Sequence, residues 1–136
     1  GAAAAACAWL VRLLQRASDA AKLQWNAYCD EHAPKKGGVA VRDPRRHGHE
    51  FLNDFLSFEV PVHAPNLWTA AVQQAVEVEE LSNEWNGYVD SAAGDNLDPW
   101  ETPPILVDFL CAALTRSPEA SAAAVEAAAR AWANGA

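Results

Sequence analysis

Cys29 and His32 stand three residues apart, close to one helical turn, a spacing at which an imidazole could take the proton of a thiol and leave a nucleophile. No glycine-rich or oxyanion-forming signature accompanies the pair, so no catalytic residue is assigned and the chain reads as non-enzymatic. Downstream, "RDPRRHGHE" gathers Arg42, Arg45, Arg46, His47, His49 and Glu50. His47 and His49 are two apart and diverge on a helix, whereas a helical metal pair sits at i and i+4 with a third ligand nearby. No metal and no cofactor is expected. With Lys35 and Lys36, the three arginines form a basic cluster before a helix start, which is the chemistry of phosphate or RNA binding. A second segment, "DNLDPWE", carries Asp95, Asp98 and Glu101, but lacks the ligand spacing and the twelfth-position Glu of a calcium loop.

These residues belong to an internal echo. "WNAYCD", Trp25 to Asp30, returns 60 residues later as "WNGYVD", Trp85 to Asp90. Each copy runs on into Asp-Pro, at Asp43-Pro44 and Asp98-Pro99, and then into "DFL", at Asp54 to Leu56 and Asp108 to Leu110. Trp9 and Trp68 precede the copies by 16 and 17 residues, and Trp132 follows Trp68 by 64, where a third copy would begin. Five features in one order point to a duplicated unit, and to a chain cut from a longer array. Position 89 is Val where the first copy has Cys29, so the thiol is not part of what is repeated.

The elements follow from periodicity. Apolar residues at Leu10, Leu14, Ala17, Ala21, Trp25 and Tyr28 mark a long amphipathic helix over 3–31, and Trp68, Ala71, Ala75, Val78, Trp85 and Tyr88 mark another over 66–91. A basic loop over 33–46 and an acidic loop over 92–102 follow, with short helices expected over 49–58 and 103–115 and a last helix over 117–136 after Ser117-Pro118. "GVAVR" alternates but is too short to carry a sheet. The fold class is all-α: two tandem long-helix, loop, short-helix units, 1–60 and 61–116, plus a C-terminal helix. About five helices in one domain are expected.

In each echo Trp and Tyr share a helix face and are read as core, with Asn and Asp on a neighbouring face. A carboxylate in the last helical turn opposes the macrodipole at a cost of roughly 0.3–1 kcal/mol, so Asp30 and Asp90 need a compensating partner. The proposed latch is Trp25, Asn26, Tyr28 and Asp30, repeated as Trp85, Asn86, Tyr88 and Asp90. Its aspartates would hold the following loop through backbone N–H groups or through a cation such as Arg42.

With 136 residues, 51% apolar and 21% charged, the composition is that of a globular chain rather than a disordered or fibrous one. The alanine-rich run from Ala2 to Val11 is far short of the ~20 residues a membrane span needs, which predicts a soluble protein. Cys7, Cys29 and Cys111 match no disulfide or zinc framework and read as free thiols in a reducing compartment. The absence of methionine and the opening "GAAAAACAW" predict a processed or excised segment, with Gly1 a tag scar.

The net charge of −8 is unevenly spread: residues 1–60 carry eight Lys or Arg against seven Asp or Glu, and residues 61–136 carry two against eleven. The second copy keeps none of the basic-loop cations, which argues against nucleic acid as the shared ligand. A basic loop in one unit and an acidic loop at the equivalent place in the other suit a head-to-tail contact between copies. An interaction or assembly module is therefore expected, acting through Lys35, Lys36, Arg42, Arg45, Arg46, Asp95, Asp98 and Glu101, with a protein partner or itself.

The run from Trp25 to Leu56, through Cys29, Asp30, Gly37, Gly38, Arg42, Asp43, Pro44, His47, Phe51, Leu52 and Phe55, resembles a recurrent segment of uncharacterised dinoflagellate algal proteins. The second copy matches it through Trp85, Asp90, Asp98, Pro99, Phe109 and Leu110. The resemblance covers about a third of the chain and implies no activity and no catalytic residue. It implies an algal setting, in which a processed accessory subunit of a plastid complex is the alternative reading.

Overall fold

Ser18 divides what the periodicity presents as one helix. Its hydroxyl accepts the Ala21 N–H at 3.0 Å and its backbone is extended, so α1 (Ala2–Ala17) ends and α2 (Asp19–His32) begins there. A serine that caps the following turn offers its backbone an alternative to continuing the helix, and this one is buried. The helix expected over 3–31 is therefore two helices. Its apolar period survives the break because both halves face one core.

The computed structural model describes residues 1–133, among which there are seven helices rather than about five; the end of the helix expected over 117–136 lies outside them. The second long helix is also interrupted: α4 (Leu67–Ala75) and α5 (Glu79–Gly94) are separated by a turn in which Val78 is extended. Glu79 and Glu80 open α5, where negative charge favours the positive end of the helix dipole. α5 also outruns the expected end at 91, so the acidic loop is shorter than 92–102.

Helix α3 covers residues 49–63 rather than 49–58, because its middle widens into a π turn, Phe55–Glu59. There the Val60 N–H bonds to the Phe55 carbonyl, and the next donor in that pattern would be Pro61, which has none. The Leu56 carbonyl left over is taken by the buried indole N–H of Trp68 at 2.7 Å. Wider spacing lets the helix pass a proline, and a tryptophan from α4 satisfies the acceptor this frees.

The basic loop is more ordered than expected. Lys35–Lys36 (β1) and Val39–Ala40 (β2) form a two-residue antiparallel ladder, Lys35 opposite Ala40 and Lys36 opposite Val39. Gly37 and Gly38 turn between them with φ of +61° and +81°, the doubly positive geometry of a tight hairpin turn that glycine adopts without strain. A 3-10 turn follows at Pro44–Arg46, and its counterpart in the second unit is Pro99–Glu101. Each is capped by the aspartate before it: Arg45 N–H bonds to Asp43 Oδ1 at 3.0 Å, and Trp100 N–H to Asp98 Oδ1 at 2.9 Å.

Helices α6 (Pro103–Arg116) and α7 (Pro118–Ala133) complete the all-α architecture, each with proline in its first turn. α1 and α4 both pack against α7 and against α6, and α3 closes over α1. Trp25, Trp68, Phe55 and Phe109 are the largest fully buried side chains. No helix among the described residues is long and apolar enough to cross a membrane.

Candidate functional site

The two echoes build nearly the same ring cluster. In the first, Trp25 lies 6.5 Å from Tyr28 and 5.0 Å from Phe55, and Tyr28 lies 5.3 Å from Phe55. In the second, Trp85 lies 6.2 Å from Tyr88 and 5.1 Å from Phe109, and Tyr88 lies 5.5 Å from Phe109. Each "DFL" phenylalanine meets the Trp and Tyr of its own unit. Both tryptophans and both phenylalanines are buried and act as core, with Tyr28 and Tyr88 partly buried at its rim.

The polar halves of the echoes differ. Arg42 is held twice: its carbonyl oxygen accepts the Trp25 indole N–H at 2.7 Å, and its guanidinium donates to both oxygens of Asp30 at 2.8 and 2.9 Å. Asp30 thus uses the loop cation, whereas Asp90 makes no ion pair or hydrogen bond from its side chain among the described residues, and neither do Asn26 and Asn86. Two expectations fail in the second unit. Asp90 does not take backbone donors, and it is not at the helix end, because α5 runs four residues further and moves it out of the last turn. The second unit is tied instead by Arg116 on α6, which donates to Glu84 on α5 at 2.8 Å.

Beside the first latch lies an open groove of about 510 Å³, lined by Arg12 and Arg16 of α1, Lys22 of α2, and Arg42, Asp43 and Arg45 of the loop. Five cations and one carboxylate face one concavity in a chain whose net charge is −8. Arg42 and Arg45 are partly neutralised, by Asp30 and by Asp43 at 3.0 Å. The bond from Arg45 holds the Asp43 carboxyl below the usual carboxylate range. Arg12, Arg16 and Lys22 make no ion pair among the described residues. Arg12 and Arg45 also border a second concavity of about 460 Å³, which continues along α1 past Ala4, Ala5, Ala8 and Trp9 to Gly1. The combined surface is cationic at one end and apolar at the other, and Trp9 is one of the more exposed large apolar side chains.

Of the predicted cations, Arg42 and Arg45 line the groove, while Lys35, Lys36 and Arg46 are exposed on the hairpin and the 3-10 turn outside it. Sequence reasoning missed Arg12, Arg16 and Lys22, although the first two are spaced one helical turn apart, a visible signal of a shared face. Of the predicted anions, Asp98 has one oxygen engaged as a cap, and Asp95 and Glu101 are exposed around the exposed Leu97.

The other chemical candidates are absorbed by structure. Cys29 is fully buried, burial pushes its thiol up to about 12, and neither it nor His32 lines either concavity. His47 donates from Nε2 to the Val41 carbonyl at 2.8 Å and stacks on Phe51 at 4.1 Å. Among the described residues no three His, Cys, Asp or Glu side chains come together as metal ligands. Comparison of the chain with protein-family models, with curated proteins and with solved structures finds no match.

Proposed function

We propose that this protein is a non-enzymatic helical interaction module whose groove along α1 receives an acidic polypeptide segment, and that the segment is residues 95–101 of a second copy. The observation that carries the reading is the convergence of Arg12, Arg16, Lys22, Arg42 and Arg45 on one groove in an otherwise acidic chain. The groove's apolar continuation past Ala5, Ala8 and Trp9 suits a segment that brings an apolar residue beside its carboxylates. Asp95, Leu97, Asp98 and Glu101 offer that combination on an exposed turn. The complementary faces lie on different parts of the chain, so the contact is head-to-tail and builds rings or filaments rather than a closed two-fold dimer.

Exposed charge makes such association weak and screened by salt. Sedimentation velocity at about 20 mM and at about 300 mM salt spans Debye lengths of roughly 20 Å down to 6 Å and should show association only at the lower value. Replacing Arg12 and Arg16 by Gln, or Asp95 by Asn and Glu101 by Gln, should abolish it. Mixing those two variants should restore a dimer that grows no further, because each keeps one intact face. A monomer at every concentration in low salt would overturn the reading. Titration of a labelled single-stranded RNA into the same groove variants separates a phosphate binder, and co-purification from native extract separates an accessory subunit docked on a foreign chain.

A further inference from the structure

The three cysteines are not equivalent in space. Cys29 on α2 touches no other sulfur among the described residues, whereas Cys7 on α1 and Cys111 on α6 are 104 residues apart in sequence with their sulfur atoms 3.5 Å from each other. Ala2 to Ala6 ahead of Cys7 are largely exposed, and Cys7 is the first fully buried side chain of α1. The thiol pair is therefore the outermost point at which the N-terminal helix is anchored to the last helices. Cys111 keeps partial exposure, so a small reagent can reach the pair from the α6 side.

We propose that Cys7 and Cys111 are a reversible disulfide site, oxidised by a hydroperoxide and reopened by a thiol, that locks the N-terminal half of α1 to α6. The contact distance needs only a small approach of two sulfurs already in van der Waals contact, and the partner side chains lie on helices packed against each other. The chemistry balances with one peroxide. The Cys7 thiol, the more acidic of the two, first gives its proton to solvent; the Cys111 proton then passes to the Cys7 thiolate along their hydrogen bond, and the resulting thiolate on the more accessible Cys111 attacks one peroxide oxygen. The O–O bond breaks, and hydroxide leaves and is protonated to water. Cys7 then loses its proton and attacks the sulfur of the Cys111 sulfenic acid; the S–S bond forms, the S–O bond breaks, and a second water leaves. Two thiols lose two electrons in total, and the peroxide gains them.

Geometry also orders the pair's protons. The hydrogen bond donated by Cys111 lowers the Cys7 thiol and raises that of Cys111, and burial adds to the rise at Cys111. Cys29, raised by burial and with no second sulfur in contact among the described residues, has neither access nor a resolving partner.

The test is to treat the whole folded chain with hydrogen peroxide, alkylate the remaining thiols and map the cysteine peptides by mass spectrometry. The expected product has lost two hydrogens, links the Cys7 peptide to the Cys111 peptide, and leaves Cys29 alone as the alkylated thiol. Closing a loop of about 100 residues should raise the melting temperature by about 5–10 °C, and dithiothreitol should reverse the rise. Cys29→Ala should leave the link intact and Cys111→Ala should abolish both link and shift. Links through Cys29, sulfinic acid at Cys111 without a link, or an unoxidised pair in a protein of unchanged circular dichroism would each overturn the proposal.

Discussion

The indole N–H of Trp25 donates to the carbonyl oxygen of Arg42 at 2.7 Å, so a core side chain of α2 fixes the backbone of the loop whose side chains face the groove. Position in the core and position of the charge are therefore one constraint. Trp25→Phe keeps a ring against Phe55 but removes the donor and leaves the carbonyl without its partner. An unmade bond at a partly buried acceptor costs about 1–3 kcal/mol, with loss of the larger ring adding to it. Urea denaturation should show a lower midpoint at unchanged slope.

Asp30 and Asp90 occupy equivalent letters of the echo, yet among the described residues Asp30 has a cation and Asp90 has none. The Asp30–Arg42 pair is bidentate but exposed, so Asp30→Ala should cost about 0.2–1 kcal/mol, less than a buried acceptor would. Asp90→Ala should stay within about 0.5 kcal/mol of the parent, because no group among the described residues is bonded to its side chain. Equal losses in parallel denaturation curves would show that the second aspartate has a role the geometry does not contain.

Ser18 is the residue that turns one expected helix into two, and its buried hydroxyl accepts the Ala21 N–H. Ser18→Ala should destabilise by about 0.5–2 kcal/mol, as loss of an N-cap does. Because Arg16 and Lys22 reach the groove from opposite sides of this break, the same variant should also weaken association at low salt. Stability lost with association intact would mean that the angle between α1 and α2 does not set the groove.

The helical class and the core faces are legible because period-3.6 apolar spacing reports burial directly, and the same spacing turns Trp25 and Trp85 into the core with Tyr28 and Tyr88 at its rim. The break at Ser18 was hidden because both halves bury onto the same core and keep the period running. The π turn was hidden for a different reason: its cause is Pro61 acting on a carbonyl five residues back, and its remedy is Trp68 on another helix. The groove was half legible. Arg42 and Arg45 stood out as part of a charge run, while Arg12, Arg16 and Lys22 join them only because the Pro44–Arg46 turn packs back on α1. Runs of like charge in sequence are local, whereas a charged concavity is assembled by tertiary packing.

Alkaline pH supplies the last test, through groups held protonated by burial. Cys29 is pushed up to about 12, and the phenols of Tyr28 and Tyr88 are raised, in each case chiefly by desolvation. For such a group both states keep the proton at neutral pH, so its titration leaves stability unchanged there. Once pH passes the ordinary thiol value the unfolded chain loses its proton while the folded one retains it. The native state then binds more protons, and the slope of unfolding free energy with pH is negative. Stability should therefore fall progressively from about pH 9 toward 12, with the tyrosines contributing above about 10. Val stands at the equivalent position of the second echo, and Cys29→Val removes one of these groups while keeping an apolar side chain of similar size. The difference in urea midpoint between parent and Cys29→Val should shift in favour of the variant as pH rises from about 8 to 11. A difference independent of pH would mean that the Cys29 thiol ionises as readily in the folded protein as in the unfolded chain.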